Sequence, residues 1–163
     1  MPDLDIAAII RTLNEHAVRY VVIGGVAAIV RDLPLPATVD IDITPARDAD
    51  NLTRLAGAFD DLDAGLLTAD EGGTWFPRLP VENWSHYDTL HLMTRFGLLD
   101  IVFRPDGAPQ GYDDLAPSAD ELPVEGEGTT ALVVSVAAWE HLKEASGRAK
   151  DLEHLDLFHE GSE

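Results

Sequence analysis

The segment VDIDI at residues 39–43 alternates apolar and acidic side chains, and this alternation constrains the fold more than any other feature of the chain. Side chains two apart on a β-strand share a face. The pattern therefore predicts a strand over residues 39–44, with Val39 and the two isoleucines in the core and Asp40 and Asp42 on the opposite face.

At roughly 5–7 Å, and with an effective dielectric near 20, the two carboxylates repel by about 2–3 kcal/mol. A divalent cation would reverse that sign, and oxygen ligands suit Mg²⁺ or Mn²⁺. The alternative is a solvated strand face whose charges favour solubility.

A third carboxylate, Asp100, interrupts the otherwise apolar segment Leu98–Phe103. An Asp in such a segment is costly to bury without a partner. If this strand lies beside residues 39–44, three carboxylates converge, which is the arrangement that a two-metal phosphoryl-transfer site requires. The alternative is an Asp at a strand edge that accepts hydrogen bonds from backbone N–H groups.

Two glycines, Gly24 and Gly25, follow a predicted buried strand, Tyr20–Ile23, and precede a predicted short helix, Val26–Arg31. Without a Cβ the backbone can approach a ligand closely, and N–H groups at a helix N-terminus favour phosphate. The alternative is that glycine only satisfies the geometry of a tight turn. The sequence matches neither the G-x-G-x-x-G pattern nor the P-loop.

Basic residues are scarce, with 11 Lys and Arg against 30 Asp and Glu and a formal net charge of −19. Such a chain cannot hold nucleic acid through a general positive field, so any phosphate contact needs a local basic cluster or a bound metal. Lys143, Arg148 and Lys150 form such a cluster and are predicted to hold a triphosphate or the phosphates of an acceptor. The alternative is surface charge, with Lys143 and Arg148 paired to nearby carboxylates.

The remaining periodicity predicts an α/β (α+β) fold, a small mixed sheet flanked by helices, in a single domain over 1–163 with C-terminal helices from about residue 135. Residues 104–130, rich in Pro, Gly, Asp and Glu, are predicted to form a long acidic loop containing one short strand, Leu122–Val124. Gly72-Gly73 predicts a hairpin turn, and Ser135 and Gly147 predict the start and stop of a helix. The other predicted elements are helices over 4–16, 47–62 and 148–158 and strands over 87–96, 98–103 and 131–134.

The composition places the protein among soluble globular chains, with 45% apolar and 25% charged residues. Cysteine is absent, which excludes disulfides and thiolate metal sites and favours a reducing cytosol. No apolar run is long enough to span a bilayer, and the acidic start lacks the form of a secretion signal. We therefore expect a cytoplasmic protein without a membrane partner.

The order of these motifs resembles the minimal nucleotidyltransferases of the DNA polymerase-β superfamily, and within it the AbiEii/MenT-type branch of bacterial toxin–antitoxin systems. The likeness extends over residues 4–158. It rests on Tyr20–Gly25, then Ala37–Asp42, then Leu99–Val102, and finally Lys143 with Arg148–Asp151.

The resemblance implies a transferase that uses an NTP substrate and Mg²⁺ or Mn²⁺. It implies that Asp40 and Asp42 ligate two ions, and that Asp100 ligates the catalytic one and helps to deprotonate an acceptor hydroxyl. The residues implied to bind the nucleotide are Gly24, Gly25, Thr38, Lys143, Arg148 and Lys150. The implied acceptor is RNA, such as a tRNA 3′ end, or a protein side chain, and an antitoxin is a possible partner.

One departure motivates a second hypothesis. The relatives usually carry a basic residue two places before the threonine, where this chain has Pro36 before Thr38. A non-catalytic nucleotide-sensing or partner-binding module on a degenerate transferase scaffold is therefore the alternative. A metal-dependent phosphohydrolase would also use clustered aspartates, but the expected histidine-rich spacing is absent, so it ranks third.

Overall fold

The sheet is the centre of the fold in the computed structural model, which describes residues 2–67, 75–76, 84, 87–125 and 128–161. The described residues form an eight-stranded mixed sheet in the order β4-β3-β5-β6-β2-β1-β8-β7. The β2–β6 and β1–β8 pairs are parallel and the other neighbours are antiparallel. The strands are β1 (Tyr20–Ile23), β2 (Asp40–Pro45), β3 (Gly65–Leu67), β4 (Trp75–Phe76), β5 (Thr89–Thr94), β6 (Gly97–Val102), β7 (Asp120–Pro123) and β8 (Thr130–Val133).

Helices flank this sheet and bury their apolar sides against it. The first of them shows why the sequence folds this way, because Ile6, Ile9, Ile10 and Leu13 recur at helical spacing and are all buried. The predicted mixed sheet flanked by helices is thus confirmed, with more strands than a small sheet has. The helices are α1 (Ile6–Glu15), α2 (Gly24–Val30), α3 (Ala49–Asp61), α4 (Tyr112–Leu115), α5 (Val136–Ser146) and α6 (Ala149–Gly161).

The caps predicted for α5 are confirmed. The Ser135 hydroxyl accepts a hydrogen bond from the backbone N–H of Ala138 at 3.1 Å, and Gly147 ends the helix with a left-handed φ of 61°. These local signals are short-range, which explains why the sequence located this helix within one residue at its C-terminus.

The prediction for Val39 is wrong. Strand β2 begins at Asp40, which pairs with Leu98 of β6, and the Val39 side chain is 73% exposed. Ile41 and Ile43 are fully buried as predicted. The apolar–acidic alternation extends one residue beyond the paired strand, so it assigned to the core a valine that precedes the sheet.

Residues 104–130 are also more structured than the predicted loop. Within the described part of this segment lie α4, a 3-10 turn at Ala116–Ser118 and the edge strand β7, which pairs antiparallel with β8. The predicted strand is shifted, because pairing with Thr130–Val133 selects Asp120–Pro123 in place of Leu122–Val124. The hairpin predicted at Gly72-Gly73 lies outside the described residues.

Among the described residues, no helix is both long enough and apolar enough to cross a membrane.

Candidate active site

Two adjacent parallel strands bring the three predicted carboxylates together. β2 and β6 pair in a register that sets Asp42 opposite Asp100, and Asp40 lies two residues earlier on the same face of β2. Each of the three residues offers a carboxylate oxygen, and these oxygens all lie within 4.8 Å of one another. All three side chains are half-buried. The strand that carries Asp100 thus lies beside the strand that carries Asp40 and Asp42, as the convergence of the three carboxylates requires.

The cluster is electrostatically unfavourable without a cation. Burial, and after it the negative charges of Asp40 and Asp100 and a hydrogen bond with Asp100, together raise the pKa of Asp42 from 3.8 to about 8, while the charge of Lys143 opposes the shift. Three converging carboxylates form a donor set of hard oxygen ligands. This donor set fits Mg²⁺ or Mn²⁺, because a divalent ion would convert the repulsion into attraction.

The glycine turn, formed by Gly24 and Gly25 at the start of α2, touches this acidic cluster. Gly24 has φ +66°, a conformation that side chains rarely adopt, and a Cβ built on it would overlap Oδ2 of Asp42. A Cβ on Gly25 would lie 3.0 Å from Cβ of Thr38. Glycine at 24 is therefore required by both backbone conformation and the approach of Asp42. Binding of phosphate by this turn remains a prediction.

Thr38 contacts the metal-ligand candidate next to it. Its hydroxyl lies 3.1 Å from Oδ1 of Asp40 and also 3.1 Å from the Asp40 backbone oxygen, and it can donate to either. Thr38 therefore restrains the orientation of the Asp40 carboxylate, which is a contact that the sequence did not predict.

The basic cluster is held by one carboxylate from the last helix. Lys143 Nζ, at the end of α5, lies 2.8 Å from Oδ1 of Asp151 and 3.1 Å from Nδ1 of His154. Arg148 Nε lies 3.3 Å from Oδ2 of Asp151, which also accepts a hydrogen bond from the Ser146 hydroxyl. Burial alone would raise the pKa of Asp151, but the bonds from Lys143 and Ser146 and the charges of Lys143 and Arg148 outweigh it and hold that pKa below 3.8.

The alternative considered for Lys143 and Arg148, pairing with a nearby carboxylate, thus describes their contacts correctly. Lys150 is exposed. All three basic side chains nevertheless line the same cavity as the aspartates.

That cavity has a volume of about 630 Å³ and is lined by every residue that the sequence predicted for the site. The three clustered carboxylates come from β2 and β6, whereas Lys143, Arg148 and Lys150 come from the C-terminal segment. The predicted residues in its lining are Gly24, Gly25, Thr38, Asp40, Asp42, Asp100, Lys143, Arg148 and Lys150.

Among the lining residues that sequence reasoning missed, three carry polar or charged groups towards the site's neighbours. His91 on β5 lies opposite Asp100, and its Nδ1 is 2.9 Å from Asp100 Oδ1. Arg104, just after β6, pairs with Asp88 at 3.1 Å. Trp139, on α5, is the third. A signal for His91 existed, since residues 89–94 alternate and place it on the polar face of its strand, whereas Arg104 and Trp139 carried none.

Solved structures of other proteins share this fold. A protein of Thermotoga maritima that has been assigned as a nucleotidyltransferase superposes with a TM-score of 0.55 at 18% identity, covering 91% of this chain and 86% of that one. The solution structure of the antibiotic-resistance factor ANT(2'')-Ia superposes with a TM-score of 0.52 at 16% identity, covering 96% of this chain and 84% of that one. No protein-family model and no curated protein sequence matches the chain. At these identities the comparisons establish the fold, which is nucleotidyltransferase-like.

Proposed function

We propose that this protein is a nucleotidyltransferase that depends on Mg²⁺ or Mn²⁺ and transfers NMP from an NTP to a hydroxyl acceptor, releasing pyrophosphate. One observation carries the proposal. Three carboxylates from β2 and β6 meet within 4.8 Å in a cavity that also contains a glycine turn and Lys143. The nucleotidyltransferase-like fold supports it.

In this proposal Asp40 and Asp42 hold the divalent ions, and Asp100 holds one of them and accepts the proton of the acceptor hydroxyl. Bound metal would neutralise charge on the phosphates and draw the acceptor oxygen towards phosphorus. The acceptor oxygen forms a bond to the α-phosphorus, and the bond from that phosphorus to the bridging oxygen of pyrophosphate breaks. Thr38 keeps the Asp40 carboxylate oriented.

The cationic side of the cavity is proposed to bind the triphosphate. Lys143 is only 12% exposed, and its charge opposes the rise in the pKa of Asp42. The proposal therefore places the triphosphate between this lysine and the metal site. Arg148, Lys150 and the backbone of Gly24-Gly25 complete this proposed set. Asp151 competes with phosphate for Lys143 and Arg148, and it keeps both side chains at the cavity before the substrate arrives.

The acceptor and setting are proposed from the likeness to the AbiEii/MenT-type branch. They are a tRNA 3′ end or a protein side-chain hydroxyl, in the cytoplasm, with an antitoxin protein as partner. We also propose that residues 1–163 act as a single nucleotidyltransferase-like domain.

The test incubates the protein with labelled NTPs, Mg²⁺ and cell RNA or protein. Wild type is compared with Asp40→Asn and with Asp113→Asn, which removes an exposed carboxylate of α4 outside the cavity. We expect label transfer by wild type and Asp113→Asn and a loss of at least a hundredfold in Asp40→Asn. Equal labelling by all three proteins would contradict the proposal.

A second candidate is a non-catalytic nucleotide-sensing or partner-binding module. It is favoured by Asp151, which occupies both Lys143 and Arg148, and by Pro36 in the cavity wall at the position where relatives carry a base. NTP binding of undiminished affinity in EDTA, without transfer to any acceptor, would support this candidate against the first.

A further inference from the structure

We infer that Trp139 is a positioning residue that fixes the Gly24-Gly25 turn and Lys143 relative to each other for binding of the NTP triphosphate. The inference rests on the proposed function, because it assigns a role within the proposed nucleotide site. Trp139 contacts both elements, which come from opposite ends of the chain.

The first contact is a hydrogen bond across the fold. The indole Nε1–H of Trp139 donates to the backbone oxygen of Gly24 at 3.2 Å, over a separation of 115 residues. The side chain is 2% exposed, so this bond satisfies a buried N–H group that would otherwise be costly. An aromatic residue chosen for packing alone would not need a donor at this position.

The glycine turn needs an external support. Gly24 holds φ +66° and lies against Asp42, and Ile23 occupies the N-cap of α2. The isoleucine side chain has no oxygen with which to accept a hydrogen bond from the first turn. The backbone of a glycine can adopt more conformations than that of any other residue. The hydrogen bond from the Trp139 indole restrains the backbone of Gly24.

The second contact places the lysine. Lys143 is four residues after Trp139 on α5, and residues so spaced share a helix face. Its Nζ lies 5.6 Å from the centroid of the Trp139 ring, within the range of a cation–π interaction. On α6, Phe158 meets the same indole edge-on at 5.6 Å. The ring is thus braced by the last helix while it supports the ammonium group.

A rigid arrangement matters because a triphosphate must meet the turn and the lysine together. Ordering either of them during binding would reduce affinity, and a site that is ordered beforehand avoids this cost. Loss of the indole N–H should therefore weaken NTP binding more than the binding of the corresponding NMP, which reaches fewer of these groups.

The experiment replaces Trp139 by phenylalanine, which keeps an aromatic ring and removes the N–H donor. Dissociation constants for each of the four ribonucleoside triphosphates with Mg²⁺ are measured by calorimetry, and those for the matching NMPs by competition. We expect NTP affinity to fall about fivefold, equivalent to about 1 kcal/mol, while NMP affinity changes less than twofold.

The matched control is Tyr20→Phe. It removes the buried tyrosine's hydroxyl bond to Oδ1 of Asn14, at 2.8 Å and outside the cavity. NTP binding by this control should stay within twofold of wild type. The inference is overturned if Trp139→Phe binds NTP like wild type, if the control is weakened equally, or if NMP binding falls as much as NTP binding.

A measurement on the wild-type protein covers the case in which Trp139→Phe does not fold. The ¹H–¹⁵N signal of the Trp139 indole N–H should shift on addition of Mg²⁺ and NTP and move much less with NMP. An unchanged signal at saturating NTP would overturn the inference alone. Absence of NTP binding by the wild-type protein would instead overturn the proposed function, and this role with it.

Discussion

Substitution of Asp42 by asparagine should stabilise the metal-free protein, although Asp42 is proposed to be essential for activity. Asn has nearly the same shape but no charge, so it removes the repulsion from Asp40 and Asp100 and the cost of burying a carboxylate. The pKa of Asp42 rises from 3.8 to about 8 on folding, a change of about four pH units. At about 1.4 kcal/mol per pH unit, this pKa shift sets an upper limit of roughly 6 kcal/mol on the destabilisation of the native state by the Asp42 carboxylate.

A smaller effect, about 2–3 kcal/mol, is expected in practice, because Asp42 is only half-buried and the three carboxylates share the penalty. The sign follows from proton linkage. Between pH 4 and 8 the native carboxyl keeps a proton that the unfolded chain has lost, so the unfolding free energy of wild type falls as pH rises through this window. Well below pH 3.8 both states are protonated, and the advantage of Asp42→Asn should vanish.

The assay is urea unfolding in EDTA at several pH values between 4 and 8.5, with Asp113→Asn as control. The control removes an exposed carboxylate, and it should stay within about 0.5 kcal/mol of wild type. Asp42→Asn should gain stability over wild type progressively as pH rises. A difference that is absent at pH 8.5, or that is the same at pH 4 and 8.5, would refute the reasoning.

Three further outcomes are expected. Gly24→Ala should lower the unfolding free energy by about 1–2 kcal/mol, because alanine is strained at a left-handed φ, and should reduce the rate of NMP transfer at least tenfold by displacing Asp42. The control is Gly147→Ala, at φ +61° with open space around it in the described structure, which should lose similar stability and keep its activity. Mg²⁺ with NTP at a hundred times its Kd should stabilise wild type by about 2.7 kcal/mol in thermal melts, and an equal gain in Asp100→Asn would contradict the metal site. Asn51→Ala should lower the unfolding free energy by about 2–3 kcal/mol without changing NTP binding, because buried Asn51 makes three hydrogen bonds to backbone groups at 2.7–2.9 Å; a loss below 0.5 kcal/mol in urea would contradict this account.

The carboxylate cluster shows how far local pattern extends. Alternation over residues 39–43 was enough to predict that Asp40 and Asp42 share a face, since a strand has a period of two. The same pattern misplaced Val39, because the end of a strand is set by where its partner stops pairing. Asp100 was identified because it is a charged residue in an apolar strand. Its distance from Asp40 and Asp42, however, depended on which strands are neighbours in the sheet.

The C-terminal helices show a second limit. Ser135 and Gly147 bounded α5 through contacts within a few residues, which sequence can report. Whether Lys143 faces a ligand or a carboxylate depended on how α5 packs on α6, and the structure places Asp151 beside it while keeping it in the cavity wall. The hydrogen bond from Trp139 to Gly24 was likewise out of reach of periodicity.

The sequence by itself determined the kind and approximate position of most elements and the chemical character of each candidate residue, because these depend on side-chain type and on neighbours a few positions away. Tertiary structure alone decided that β2 lies parallel to β6, that α5 lies over the glycine turn and that residues 120–123 form an edge strand. Those decisions depend on contacts between distant segments, whose free energies are set by the packing of the whole sheet and leave no periodic trace in either segment alone.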